Sequence, residues 1–328
     1  MKKLKVGIIG LGRIASLYES DGRARKYYPA LTHAGAYSKN STVSITCGAD
    51  IKRKRTALFG KRWRVKNLYS DYRKMLREEK IDILSICTPP GEHIGIIREA
   101  VGRVPVIFCE KPFTRSSAEI MQIIKLASLR GTRIAVNLYR QYDTSHDKVR
   151  DMLKRGLLGR IQRVNCYYGK GLRNMASHVL GYLLSILGRP VKVQVLGKKK
   201  YEGINELSFD VYLEFKGGIP VFIQSCDFNK YRLFELDFIC EKGRIQILDE
   251  GLTIKISSIS ENKAQSGAFE LREKKKALKS TLGRSLSGAI EHLIRMKADR
   301  TIKPIVSPEK YLELQELIEE IEKKGRAL

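Results

Sequence analysis

The stretch that most constrains the chain is Lys5 to Ala15, read as KVGIIGLGRIA. Val6 to Ile9 is a short apolar run with no polar face, the pattern of a strand buried on both sides of a parallel sheet. It leads directly into Gly10-Leu11-Gly12-Arg13-Ile14-Ala15, a G-x-G-x-x-A turn. Gly10 permits the tight exit from the strand. Gly12 leaves room for backbone N–H groups to approach a pyrophosphate. Ala15 lets a following helix, expected over Ile14 to Glu19, lie close to the strand with its positive end toward the phosphates. The position of the pattern, after a strand and before a helical stretch, is the one that dinucleotide binding requires.

Alternating segments follow. Ser20 to Ala30 is polar and contains Pro29, so it reads as a loop, and His33 to Tyr37 restarts a helix. Val43 to Ala49 is the second strand, closed by Asp50, whose carboxylate can accept hydrogen bonds from ribose hydroxyls. That acid favours NAD; Arg53 and Arg55 just beyond it would instead suit the 2′-phosphate of NADP. Asp71 to Arg77 is a helix and Ile81 to Cys87 an apolar strand, broken at Thr88-Pro89-Pro90. Glu92 to Val101 is the next helix. Val104 to Cys109 is the next strand, and it delivers Glu110-Lys111-Pro112 to the same sheet edge. Ser116-x-x-Glu119 is a capping box for a helix to Leu129, and Arg133 to Asn137 is a further strand. This βαβ series predicts a doubly wound parallel sheet over residues 1–138. Lys111, at a strand's carboxyl end between a carboxylate and a proline, can hydrogen-bond a substrate oxygen and move a proton as a hydride transfers.

The pattern changes after Asn137. Helices are expected around His146 to Lys154 and over Ala176 to Leu187, and strands at Ile161–Tyr168, Val191–Leu196, Leu207–Phe215, Ile219–Ser225, Leu233–Cys240 and Arg244–Leu248. Gly217-Gly218 and Lys242-Gly243 join neighbours as hairpins. Residues 139–328 therefore read as a second, α+β domain with a largely antiparallel open sheet. Ser260 to Ser280, polar and lysine-rich, reads as a mobile loop. A last helix starts at Ser307-Pro308.

The formal net charge is +27, divided as +16 in residues 1–138 and +11 in the remainder. Its densest runs are Lys52-Arg53-Lys54-Arg55, Lys61 to Lys66 and Lys274-Lys275-Lys276. No aromatic-interleaved nucleic-acid motif accompanies them, so a solvated basic surface is expected rather than specific nucleic-acid recognition. No apolar run reaches membrane-span length, and Met1-Lys2-Lys3 leads straight into the first strand rather than into a secretory segment. Six scattered cysteines without C-x-x-C spacing suit reduced core residues of a cytoplasmic protein. No metal-ligand spacing is present.

The G-x-G-x-x-A turn, Thr88-Pro89-Pro90-Gly91-Glu92-His93 and Glu110-Lys111-Pro112 together resemble the Gfo/Idh/MocA oxidoreductase family. Leu158-Gly159-Arg160-Ile161, Ser177-His178-Val179-Leu180, Glu241-Lys242-Gly243-Arg244-Ile245 and the Ser307-Pro308 helix continue the likeness along nearly the whole chain. The resemblance implies an N-terminal Rossmann domain and a C-terminal domain whose open sheet forms a homo-oligomer interface. It implies NAD(P)-dependent oxidation or reduction of a sugar, nucleotide sugar or cyclitol. It places the cofactor against Gly10, Gly12, Arg13, Ile14, Asp50, Thr88, Pro89, His93, Glu110 and Lys111. It assigns catalysis to Lys111 with His178 and the residue at position 174. Position 174 is Asn and position 181 is Gly, where the family often has Asp. An amide binds a hydroxyl but relays no proton, so Tyr139, Tyr167 and Tyr168 are candidate replacements, and a non-catalytic NAD(H)-binding protein is the alternative reading.

Overall fold

The computed structural model describes residues 3–22, 24–274 and 278–328. The chain forms two compact units: Met1–Tyr142 with Gly283–Leu312, and Asp143–Leu282 with Glu313–Leu328.

In the first unit the elements are β1 (Leu4–Ile9), α1 (His33–Ser38), β2 (Val43–Ala49), α2 (Arg53–Trp63), β3 (Asn67–Tyr69), α3 (Tyr72–Glu78), β4 (Ile83–Ile86), α4 (Pro90–Ala100), β5 (Val106–Glu110), α5 (Ser117–Arg130) and β6 (Arg133–Asn137). The six strands form one sheet in the order β3-β2-β1-β4-β5-β6, parallel throughout. The order reverses between β1 and β4, which opens a crevice at their carboxyl ends, where doubly wound sheets bind ligands. Every residue of β4 is buried, as are Val106–Cys109 of β5, which explains their uninterrupted apolar sequence. Gly131, with φ +66°, closes α5 in the left-handed region. The capping box operates one residue out of register: Ser116 Oγ accepts the Glu119 amide, while the Glu119 carboxylate accepts the amide of Arg115.

The helix expected over Ile14 to Glu19 does not form. Gly12 O accepts from Ser16 N and Leu17 N, making one turn, and Ser16 then leaves the helical region at φ −154°. Side chains of α2 compete for its backbone and hydroxyl: Arg62 Nη1 donates to Ser16 O at 3.0 Å and Trp63 Nε1 to Ser16 Oγ at 2.8 Å. A 3₁₀ turn, Leu17–Ser20, follows. It buries Glu19, which accepts the Leu31 amide and the Thr32 hydroxyl. Thr32 caps α1 by accepting the Gly35 amide.

The chain then passes to the second unit with α6 (Thr144–Lys154), β7 (Ile161–Tyr168), α7 (Ser177–Leu187), β8 (Lys192–Lys199), β9 (Ser208–Phe215), β10 (Ile219–Ser225), β11 (Phe234–Cys240), β12 (Gly243–Leu248), β13 (Thr253–Glu261) and β14 (Phe269–Glu273). α8 (Ser285–Ala298) belongs to the first unit, and α9 (Pro308–Gly325) begins in the first and ends in the second. The eight strands are ordered β14-β13-β12-β11-β7-β10-β9-β8, antiparallel except for the parallel pair β7–β10. Both hairpins form where glycines were expected, joining β9 to β10 and β11 to β12. β11 alternates buried Phe234, Leu236, Phe238 and Cys240 with half-buried residues, so the sheet covers a core on one face only.

Ser260 to Ser280 is not one continuous loop. β14 pairs with β13 from Ser257↔Glu273 to Glu261↔Phe269. Its strand signal is faint because it is an edge strand with its two apolar residues, Phe269 and Leu271, exposed. Lys275 and Lys276 of the third basic run lie outside the described residues.

Candidate functional site

Four strand ends meet the crevice of the first unit. Gly10 has φ +83°, and a Cβ there would lie 2.8 Å from the Cys87 carbonyl carbon and from Thr88 N. Only glycine allows β1 and the Thr88 loop to approach so closely. Asp50, at the end of β2, is 7% exposed. Its Oδ2 accepts the Leu11 amide at 2.8 Å and its Oδ1 the Lys52 amide at 2.8 Å. The half-exposed Arg55 guanidinium reaches the same carboxylate at 3.4 Å. A carboxylate has about four acceptor positions, so Asp50 retains capacity for one ribose hydroxyl beside Arg55, and for a second where the guanidinium gives way.

Gly10, Asp50, Arg55, Tyr72, Thr88 and Pro89 line a cavity of about 380 Å³. Thr88 Oγ1 is buried there with no hydrogen-bond partner among the described residues. A buried hydroxyl left unsatisfied marks a place that a ligand can complete. Nothing lies within 3.6 Å of a Cβ built on Gly12, which leaves its backbone open to a phosphate. Glycine turn, acid and orphaned hydroxyl together fit a dinucleotide. Arg13 is exposed, with its guanidinium 6.0 Å from the Tyr18 ring, and Ile14 is half-buried beside it. His93 does not line the cavity. It is fully buried, with Nε2 2.8 Å from Thr88 O and Nδ1 3.0 Å from Phe113 O, and so ties the Thr88 loop to the segment after Lys111.

Glu110 ends β5 opposite Asn137 of β6. Its Oε1 accepts His33 Nε2 at 2.8 Å and Asn137 Nδ2 at 2.6 Å, and its Oε2 accepts the Lys111 amide at 3.2 Å. Burial alone would push this carboxyl up; the bonds from His33 and Asn137 and the Lys111 charge outweigh it and hold Glu110 below the ordinary carboxylate value. The neighbouring Cys87 and Cys109 thiols are pushed well up, first by burial and then by the Glu110 charge, so both are protonated; Cys109 lies in the core and Cys87 lines the cavity. The Lys111–Pro112 bond is cis. Asn137 Oδ1 is buried with no partner among the described residues, a second open acceptor on this edge.

The remaining expected catalytic residues belong to the second unit. A π-type turn, Leu172–Ala176, precedes α7 and carries Asn174, whose amide donates to Glu206 Oε2 at 3.0 Å. His178 sits in the first turn of α7 and is 3% exposed; Gly181 is buried one turn on. Of the three tyrosines, Tyr168 is fully buried and donates to Phe209 O, a packing role; Tyr167 is half-buried on β7, and Tyr139 stacks with the Arg140 guanidinium.

Residues 4–138 match the family model GFO_IDH_MocA, described as an oxidoreductase family with an NAD-binding Rossmann fold. Over these residues the nucleotide domain is similar to the Gfo/Idh/MocA oxidoreductase family. Its cofactor is NAD-type, in keeping with the glycine turn and Asp50. The chain is 28% identical over 158 residues to the uncharacterized oxidoreductase YrbE of Bacillus subtilis, a match covering 48% of this chain and 42% of that protein. The match thus spans less than half the length of that curated relative. Two crystal structures share the fold over almost the full chain. An oxidoreductase from Agrobacterium radiobacter, in complex with NAD+, L-tartaric acid and magnesium, is 15% identical with a TM-score of 0.78, covering 99% of this chain and 97% of the other. An aldose-aldose oxidoreductase from Caulobacter crescentus, complexed with glycerol, is 16% identical with a TM-score of 0.77, covering 99% and 98%.

Within this nucleotide-binding domain, His33, Ser85 and Asn137 were not singled out by the sequence. Asn137 carried a usable signal: a polar residue closing an apolar strand at the carboxyl edge, the feature that singled out Asp50 and Glu110. His33 and Ser85 carried none, because His33 reaches Glu110 across 77 positions of sequence.

Proposed function

We propose that the chain is an NAD(P)-dependent oxidoreductase that interconverts a hydroxyl and a carbonyl on a sugar, nucleotide sugar or cyclitol. The observation carrying this reading is the strand edge that gathers Gly10, Asp50, Thr88 and Glu110-Lys111 in one domain. Gly10, Gly12, Asp50 and Thr88 would hold the dinucleotide, and the bound nicotinamide supplies or accepts a hydride. Lys111 donates a hydrogen bond to the reacting substrate oxygen and moves its proton. His178 orients the same hydroxyl or shares the proton transfer, and Asn174 binds a neighbouring hydroxyl without relaying a proton.

The same reading makes the chain a cytoplasmic homo-oligomer through the eight-stranded sheet. The six cysteines are free thiols, and among the described residues no helix is long and apolar enough to cross a membrane.

A second reading rests on Asn174 and Gly181. Without carboxylates at these positions, the protein would bind NAD(H) as a sensor or assembly subunit. One experiment separates the two. The purified chain is loaded with NAD+ or NADP+ and challenged with a panel of sugars, nucleotide sugars and inositols while nicotinamide absorbance is followed. Reduction by one chemical class, lost in Lys111→Ala with cofactor binding retained, supports the dehydrogenase. Tight cofactor binding with no response across the panel, in either direction, supports the sensor.

A further inference from the structure

The buried groups behind Glu110 form a single hydrogen-bonded run. Tyr37 OH lies 2.9 Å from Ser85 Oγ, Ser85 Oγ 3.1 Å from His33 Nδ1, and His33 Nε2 2.8 Å from Glu110 Oε1. An ionised carboxylate only accepts, so the Nε2 proton belongs to His33. Burial pushes the Tyr37 phenol far up, against the smaller effect of its Ser85 bond, so Tyr37 stays protonated and donates to Ser85. Ser85 is then free to donate to Nδ1. The network assigns the Nε2 proton to His33 and sets Nδ1 against the Ser85 hydroxyl.

The imidazole has little freedom to leave this arrangement. His33 is 0% exposed and packs on the Phe108 ring at 5.1 Å. Its own amide donates to Ile14 O at 3.1 Å, and Ala34 N donates to Ala15 O at 3.0 Å, so α1 begins hydrogen-bonded to the glycine turn. His33 thus touches the phosphate-binding turn through its backbone and the Glu110 carboxylate through its side chain. The other groups facing Glu110 are Lys111, neutral Asn137 and the protonated thiols of Cys87 and Cys109. His33 is the only one of these borne on α1.

We infer that His33 is a positioning residue: it holds Glu110 ionised and oriented, and thereby fixes the strand end that carries Lys111 relative to the nucleotide turn. The role of Lys111 in this inference rests on the dehydrogenase reading; the hold on Glu110 does not.

Two nearly isosteric variants test it. In His33→Gln the amide nitrogen reaches Glu110, as Nε2 does. In His33→Asn it reaches only as far as Nδ1 and leaves Glu110 without that donor. The Glu110 carboxyl carbon is followed by NMR against pH in the full chain labelled with ¹³C-glutamate, and is assigned by its loss in Glu110→Gln. His33→Asn should make Glu110 roughly tenfold easier to protonate, since a bond to a charged group is lost. His33→Gln should stay near the parent.

Single-turnover hydride transfer with the responding member of the panel should slow roughly tenfold in His33→Asn, at unchanged NAD affinity, and recover in His33→Gln. An unmoved Glu110 midpoint in His33→Asn overturns the inference, as does a moved midpoint with undiminished hydride transfer. A parent that binds NAD but answers no panel member defeats the dehydrogenase reading alone, and the NMR titration still decides whether His33 holds the carboxylate.

Discussion

The Asp50 carboxylate accepts the Leu11 amide at 2.8 Å, so the acid that would select the cofactor also closes the glycine turn. Selectivity and turn stability are therefore separable only by a chosen substitution. Asp50→Asn keeps one acceptor, enough for the Leu11 amide but not also for that of Lys52, and removes the charge that repels a 2′-phosphate. Asp50→Ala strands both amides, the buried one of Leu11 at a cost of about 1–3 kcal/mol. We expect the parent to bind NAD(H) more tightly than NADP(H), Asp50→Asn to lose that preference with a smaller loss of stability than Asp50→Ala, and Asp50→Ala to lose the preference and the most stability. Cofactor titrations beside urea unfolding measure this. Tighter NADP(H) binding by the parent would transfer the selecting role to Arg53 or Arg55.

Gly10→Ala places a Cβ 2.8 Å from the backbone of Cys87 and Thr88 at φ +83°. The left-handed conformation alone costs roughly 1–2 kcal/mol with a side chain present, and the clash adds to it. The expected outcome is a destabilised first unit and lost NAD binding. Calorimetry with and without NAD checks both; a parent-like ligand-induced rise in melting temperature would show that the turn is not where the nucleotide binds.

Lys111→Ala should slow hydride transfer by ~100- to 10,000-fold with cofactor binding retained, as for a positioned acid–base group. His178→Ala should lose less, because no carboxylate at position 174 fixes its tautomer. The ranking is read from single-turnover rates of the two variants. Equal losses, or the reverse order, would move the principal proton transfer to the second unit.

Acid stability should decline in two stages. His292 has its pKa lowered, first by burial and then by the Arg295 charge, so the unfolded chain takes up its proton before the folded one does. Its contribution to folding is complete above the unfolded value, about 6.5, and falls as pH drops below it. Glu110 has its pKa lowered from 4.5, so its contribution is present above that value and is lost as pH falls through the lower folded one. Melting temperature should therefore fall modestly as pH drops below about 6.5, then more steeply below about 4.5. His292→Gln should flatten the first stage only; an unchanged first stage would remove His292 from this account.

α2 and its flanks carry Lys52, Arg53, Lys54, Lys61, Arg62, Arg64 and Lys66 at exposed positions, with no acidic residue from Ile51 to Ser70. Such a surface contacts phosphates without reading bases. Any binding to nucleic acid should be indifferent to sequence and collapse between about 50 and 200 mM salt. Fluorescence anisotropy with two unrelated duplexes tests it, and a selective complex persisting at the higher salt would contradict it.

Most sheet strands, β3, β13 and β14 excepted, and the nucleotide edge were legible in the amino-acid sequence because their causes are local. A β4 or β5 buried on both faces must be apolar throughout, and Gly10 announces a conformation that no other residue adopts cheaply. Asp50, Thr88, Glu110 and Lys111 stood out as polar residues ending such strands. What the tertiary structure decided depends on partners distant in sequence. The helix expected after the glycine turn stops at Ser16 because Arg62 and Trp63 take its carbonyl and hydroxyl. β14 exists because β13 offers it a ladder, not because its exposed residues ask for one. His33 is the helix start that the sequence suggests, but only folding set its imidazole against Glu110, where burial strengthens a hydrogen bond to that charge.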